Sequence, residues 1–264
     1  MAGEVFMQLA GKVALVTGGG TGVGRATSLA LAGLGCAVVV NYRRSRTEAE
    51  ATATDVAALG VRSLAVQADV ADDAACHDLV NSVTRAFGRL DILVNNAAVT
   101  RFISHTALDQ VTDAVWEEIM SINVRGPFQC VRAARELLAE ANGVVVNVAS
   151  VAGLTGSGSS IPYAASKAAL LNMTVSLARA LAPKIRVNAV APGFIEGRWL
   201  EQGLGSRYEA VKSRVESNLP LGRVARPEDV AAAIVSLITC THITGQVLVC
   251  DGGLLIADPL APRS

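Results

Sequence analysis

Charge, aromatic rings and histidine are scarce in this 264-residue chain, and each scarcity removes a class of function. Charged residues make up 17% and are balanced, 23 basic against 23 acidic. No basic face is implied, which argues against nucleic acid as a partner. With 51% hydrophobic residues, a large core is affordable and disorder is excluded. The three histidines, His77, His105 and His242, are scattered without ligand spacing, so no metal site is expected. The five cysteines are odd in number, far apart and form no CxxC pair. They read as buried thiols in a reducing compartment. The opening MAGEVFMQLAGK has neither the basic start nor the apolar stretch of a signal peptide, so a cytoplasmic location is expected. One run, Ala231–Cys250, has no Asp, Glu, Lys or Arg. Its central Thr239, Thr241, His242, Thr244, Gly245 and Gln246 suit a buried helix, a turn and a buried strand better than a membrane span.

What the chain does have is alternation. Short β-branched runs at Val13–Thr17, Ala37–Asn41, Ser63–Gln67, Ile92–Asn95, Val144–Val148, Arg186–Val190 and Val247–Cys250 read as strands. Helical patterns lie between them at Gly22–Leu34, Thr47–Leu59, Asp72–Phe87, Thr112–Ala139, Tyr163–Leu181 and Pro227–Ile238. Strands apolar on both faces, each followed by a helix, predict an α/β domain with a doubly wound, seven-stranded parallel sheet and helices on both faces. No linker divides the chain, so one domain over 1–264 is expected. Two stretches break the alternation: Ala152–Ile161, rich in Gly and Ser, and Phe194–Leu219. Both leave strand C-terminal ends, where such sheets build their ligand crevice. They are the expected substrate loop and lid.

Val13–Thr17 runs into GGGTGVG and then a helix. Glycines there permit a tight turn and let backbone N–H groups approach a pyrophosphate at the positive helix end. The literal GxGxxG spacing is absent; Gly18, Thr21, Gly22, Val23 and Gly24 stand in its place. At the end of the second strand, where an acidic residue usually holds the ribose of NAD, this chain has Asn41, Tyr42, Arg43, Arg44, Ser45 and Arg46. Arginine forks suit a 2′-phosphate. NADP(H) is therefore expected over NAD(H), with NAD(H) the alternative.

Tyr163 and Lys167 are four residues apart, on one helix face. In a chain with three tyrosines, a chance Tyr-x-x-x-Lys is expected only about 0.05 times. A phenol titrates near 10, too high for ready exchange at neutral pH. A neighbouring ammonium is expected to lower that value and make Tyr163 an acid/base. Ser150 ends the fifth strand and could hydrogen-bond a substrate oxygen.

With these residues in view, the chain resembles the short-chain dehydrogenase/reductase family from Lys12 to Gly253. The matching pieces are Thr17–Gly24, Asp69-Val70, Asn95-Asn96-Ala97, Asn123, Ser150, Tyr163-x-x-x-Lys167, Arg186-Val-Asn188, Pro192-Gly193 and Thr244-Gly245-Gln…Asp251-Gly252-Gly253. The resemblance implies a Rossmann fold, with Asp69 and Val70 at the adenine and Asn95 supporting the sheet. It gives Asn96, Ala97, Ala98, Pro192 and Gly193 as cofactor contacts and puts Ile195 beside the nicotinamide carboxamide. It also implies that Lys167 binds the nicotinamide ribose and that the Asn123 backbone holds a relay water. A homotetramer built through the 112–139 and 163–181 helices and the C-terminal segment is implied as well. Two departures stand out: Ala98 replaces the family's glycine, and Gly197 replaces a threonine that often binds the cofactor.

Reversible ketone/alcohol interconversion on a small-molecule substrate is the function these residues predict. The alternatives are an NAD(H)-dependent alcohol, sugar or steroid dehydrogenase of the same family, and a non-catalytic NADP(H)-binding redox sensor. Within the family the pattern is most like the 3-oxoacyl-carrier-protein reductases, but Glu136-Leu-Leu-Ala-Glu140 lacks the basic residues an acidic carrier would dock on. Trp199 and His105 are candidate substrate neighbours.

Overall fold

Every residue of the VALV run is buried, and with no polar side chain to present it forms the central strand, β1 (Val13–Val16). The computed structural model describes residues 5–257; both ends of the expected 1–264 domain lie outside them. After β1 come α1 (Gly22–Gly33), β2 (Ala37–Tyr42), α2 (Arg46–Ala58), β3 (Ser63–Gln67), α3 (Asp73–Phe87) and β4 (Ile92–Asn95). Next are α4 (Asp113–Met120), α5 (Gly126–Glu140), β5 (Val144–Val148), α6 (Ala152–Thr155), α7 (Ile161–Leu181) and β6 (Arg186–Pro192). The chain closes with α8 (Arg198–Leu204), α9 (Tyr208–Glu216), α10 (Pro227–Thr239) and β7 (Val247–Cys250).

The strands form one sheet in the order β3-β2-β1-β4-β5-β6-β7, parallel at every pairing. The pleat sends alternate residues to opposite faces. Ala14 and Val16 of β1 pack with Leu31 of α1, Val56 of α2 and Ile234 of α10. Val13 and Leu15 pack with Leu79 of α3, Val131 of α5 and Ala178 of α7. The expected doubly wound sheet is therefore present. Strand order reverses between β1 and β4, and such a switch point opens a crevice beyond the strand C-termini.

Three elements differ from the sequence expectation. The predicted 112–139 helix is interrupted by a π-turn over Ser121–Arg125, where the Gly126 N–H bonds the Ser121 carbonyl. Pro127 follows, and it has no N–H to give the Asn123 carbonyl, its α-helical partner. The Ala152–Ile161 loop contains the single turn α6, closed by Gly156. The 194–219 segment is not open loop: α8 and α9 organise it, and Ile195 bridges to Ala225. Ala231–Cys250 resolves into helix, turn and strand, but the strand expected to be buried is half open, with Leu248 and Val249 exposed; no described helix is long and apolar enough to cross a membrane.

Candidate active site

At the C-terminal end of β1 the chain turns through Thr17–Gly20 into α1. Gly24 lies so close under this turn that a Cβ would stand 2.2 Å from the Gly18 carbonyl oxygen and 2.6 Å from Asn96 Nδ2. Asn96 fixes the turn, donating from Nδ2 to the Thr17 and Gly18 carbonyls at 2.9 and 3.0 Å. Thr17 Oγ1 accepts from the Asn96 and Ala97 N–H groups at 3.0 Å. The β1 turn and the segment after β4 are thus one unit. The first turn of α1 has no acidic residue, and the preceding Thr21 makes no side-chain cap. Apart from its chain neighbours and its own helix backbone, no described residue lies within 4 Å of a Cβ built on Gly22. An uncapped helix N-terminus beneath open space suits a pyrophosphate.

Asn41 is the sharpest change from the sequence reading as a cofactor ligand. Its side chain is buried and already engaged: Oδ1 accepts from the Gly18 N–H at 3.3 Å, and Nδ2 donates to the Ala68 carbonyl at 3.1 Å. It braces the phosphate turn against β2 and β3 and cannot also reach a ribose. Arg43 and Asp69, expected at opposite ends of an adenosine, pair with each other, Nε to Oδ2 at 2.9 Å. The Arg43 side chain keeps 39% of its surface exposed, and a guanidinium there fits a 2′-phosphate. Arg44 and Ser45 stand beside it, at the start of α2. Val70 is buried and packs on Gly126, where a Cβ would come within 2.9 Å of its Cγ2.

The proton-transfer residues come from three elements. Ser150 follows β5, Tyr163 and Lys167 ride on α7, and Asn123 lies in the π-turn. Ser160 caps α7, accepting from the Tyr163 N–H, and Pro162 occupies its first turn; both fix where the helix begins and so where Tyr163 stands on it. Lys167 is 3% exposed. Its Nζ donates to the Val148 carbonyl at 2.8 Å and lies 5.7 Å from the Tyr163 ring centroid. Asn123 is fully buried. It accepts from Val99 N–H at 2.8 Å and donates to the Val99 carbonyl and to Ser166 Oγ at 3.0 Å. Ser166 in turn donates to the Tyr163 carbonyl at 2.7 Å. The Asn123 side chain is therefore a brace between α7 and the segment after β4, leaving its backbone carbonyl for other work. Ser166 was not singled out by sequence, although its place just before Lys167, inside Tyr-x-x-x-Lys, was the available signal.

The surroundings of the phenol oppose the expected lowering. Burial pushes Tyr163 up to about 12; the Ser150 hydroxyl, hydrogen-bonded to it, pulls the other way but less. Burial also pushes Lys167 down to about 8. The spacing argument placed the ammonium correctly on the helix face but left out the desolvation that opposes charging both groups.

Both departures find a backbone explanation. Among the described residues the only non-glycine with positive φ is Asn142, so Ala98 fits without strain. Gly197 has φ +134°, a region closed to threonine. It leads directly into α8, whose Trp199 stands edge-on to Tyr163 with ring centroids 6.2 Å apart. Asn95, expected to support the sheet, donates to Asn147 Oδ1 at 2.9 Å, and Asn147 donates to Thr174 of α7. Among the described residues no cluster of His, Cys, Asp or Glu could hold a metal ion.

Comparison with known proteins gives a consistent picture. Residues 18–255 match the sequence profile of a family described as enoyl-(acyl carrier protein) reductase. The chain is 46% identical over 242 residues to a protein named as a ketoacyl reductase of the granaticin polyketide synthase of Streptomyces violaceoruber, covering 91% of this chain and 95% of that one. It is 36% identical over 266 residues to a 3-oxoacyl-[acyl-carrier-protein] reductase of Thermotoga maritima, covering 95% and 100%. Among solved structures, one described as a short-chain dehydrogenase/reductase from Burkholderia xenovorans superposes with a TM-score of 0.86 at 39% identity, over 93% of this chain and 98% of that one.

Proposed function

Because the chain belongs to the short-chain dehydrogenase/reductase family, we propose that it reduces a ketone to the secondary alcohol with NADP(H), Tyr163 supplying the proton. The observation that carries this reading is the meeting of Ser150, Tyr163 and Lys167 beyond the ends of β5 and β4, beside the uncapped α1 N-terminus. The nicotinamide supplies the hydride. The Ser150 hydroxyl donates to the carbonyl oxygen, polarising it and holding it against the phenol. Tyr163 Oη gives its proton to that oxygen as charge develops there. The Lys167 ammonium, on the same face, offsets the negative charge left on Tyr163. Lys167 would also hold the nicotinamide ribose, and Asp69, Val70, Asn96–Ala98, Pro192, Gly193 and Ile195 line the rest of the cofactor path. The Asn123 carbonyl, without an α-helical donor at Pro127, is placed to hold a water that returns a proton to the site.

Arg43 and Arg44 support NADP(H) over NAD(H). Five cysteines without disulfides fit a cytoplasmic protein. Exposed apolar side chains at Phe128 of α5 and Leu154 of α6 fit a homotetramer, which a single sedimenting monomer would exclude. The catalytic reading is tested by NADPH oxidation over a panel of acyl thioesters, sugars, steroids and quinones. Ketone-dependent oxidation that falls at least ~100-fold in Tyr163→Phe supports it; turnover unaffected by that substitution overturns it.

A further inference from the structure

Helix α8 turns one face to the proton-transfer site. Trp199 and Gly203, four residues apart, share that face. Trp199 meets the Tyr163 ring edge-on at an interplanar angle of 83°. Gly203 meets Phe102: a Cβ on Gly203 would stand 2.0 Å from the Phe102 ring, so the ring lies directly on the helix backbone. Phe102 belongs to the segment after β4. Its neighbour Ile103 is tied to the stretch before α7 by an N–H bond to the Ser159 carbonyl, 2.9 Å. One aromatic side chain of α8, Trp199, thus meets Tyr163, and a second from another segment, Phe102, lies against the same helix at Gly203. Both keep accessible surface, Trp199 46% and Phe102 37%. The cations next to them in sequence are engaged by protein carboxylates: Arg198 with Glu48 and Arg101 with Glu118. Charge is not what this roof offers a substrate.

We infer that Trp199 and Phe102 determine specificity, forming an aromatic roof that selects an uncharged ketone carried on a flat ring system over one carried on a flexible saturated chain. This rests on the ketone-reduction reading and names its substrate class. A carbonyl that reaches Ser150 and Tyr163 must displace the Trp199–Tyr163 contact. A flat ring replaces it with another ring contact, including the quadrupole part of the attraction, and has few rotors to immobilise. A saturated chain offers neither advantage.

The test compares 2-tetralone with 2-octanone as substrates of the whole protein with NADPH. The wild type is expected to favour 2-tetralone in kcat/KM. Trp199→Ala should cut that selectivity ratio about tenfold, chiefly through KM, and Trp199→Phe should restore part of it. Preference of the wild type for 2-octanone, or a ratio unchanged in Trp199→Ala, overturns the inference. A binding measurement separates it from the chemistry it rests on. In Trp116→Phe, Trp199 is the only tryptophan, and 2-tetralone added with NADP⁺ should quench its emission saturably while 2-octanone at equal concentration does not. Quenching with no turnover of any ketone sinks ketone reduction and leaves the roof standing; turnover without ring preference sinks the roof alone.

Discussion

Tyr163 and Lys167 hold opposite sides of one electrostatic problem: burial resists charging either of them. With the phenol pushed up to about 12, Tyr163 carries its proton throughout the neutral range, as ketone reduction requires. Alcohol oxidation needs the phenolate and should rise nearly tenfold per pH unit from 6 to 8. Above about 8 Lys167 loses its proton, and with it the charge that offsets the phenolate. The oxidation profile should then flatten while ketone reduction, level below pH 8, begins to fall. Reduction that climbs with pH would show that Tyr163 is not the acid. The same lysine makes a stability prediction. Its folded value of about 8 lies below the ordinary lysine value of 10.5, so between those values the unfolded chain binds more protons and stability rises with pH. Below that window the cost of a buried ammonium is fully present. In Lys167→Met this part of the rise in Tm between pH 8 and 10 should vanish, as paired thermal melts at several pH values would reveal. An unchanged slope would mean the ammonium is better solvated than its 3% exposure implies.

At the level of elements, the interruption between α4 and α5 is where local chemistry and tertiary role coincide. Pro127→Ala supplies the missing N–H and lets an α-helical ladder engage the Asn123 carbonyl. We expect kcat to drop about tenfold, a fraction of what general acid–base assistance contributes, with NADPH affinity within twofold. A variant with full kcat would remove the backbone carbonyl from the proton path. The Gly126-Pro127 pair was visible in the sequence, yet the apolar periodicity of 112–139 continues across it, and a π-turn preserves that periodicity on both sides. Periodicity therefore could not reveal it. The strands were more legible. Val144–Val148 is apolar on both faces, and only a sheet covered on both sides buries such a run. The 194–219 segment was least legible: α8 follows Gly197 and docks through Trp199 and Gly203, and a contact made by the absence of a side chain leaves no apolar pattern. Asn41 illustrates the same limit within a strand. Its position, at the end of the second strand, made it a candidate cofactor contact, but its partners, Gly18 and Ala68, lie 23 and 27 residues away.

For the whole molecule, the reversal of strand order between β1 and β4 makes the cofactor crevice a joint between two halves of the sheet. The β1 turn is pinned to the segment after β4 by Asn96, and β2 and β3 are pinned to that turn by Asn41. A dinucleotide laid across this joint touches both halves, so it binds the folded state and has nothing comparable to bind in the unfolded chain. At a concentration one hundred times its dissociation constant such a ligand adds about 2.7 kcal/mol, which for a chain of this size raises Tm by roughly 5–10 °C. The adenosine end decides which dinucleotide does so. The Arg43 guanidinium, paired with Asp69 but still 39% exposed, is a group a 2′-phosphate would engage, whereas NADH brings no such group. Melts at equal cofactor concentrations should therefore show a larger shift with NADPH than with NADH. Arg43→Ala should erase most of the difference while leaving the NADH shift in place, because the pyrophosphate still meets the α1 N-terminus. An equal or larger shift with NADH in the wild-type protein would overturn the assignment of NADP(H), and it would do so without reference to any ketone.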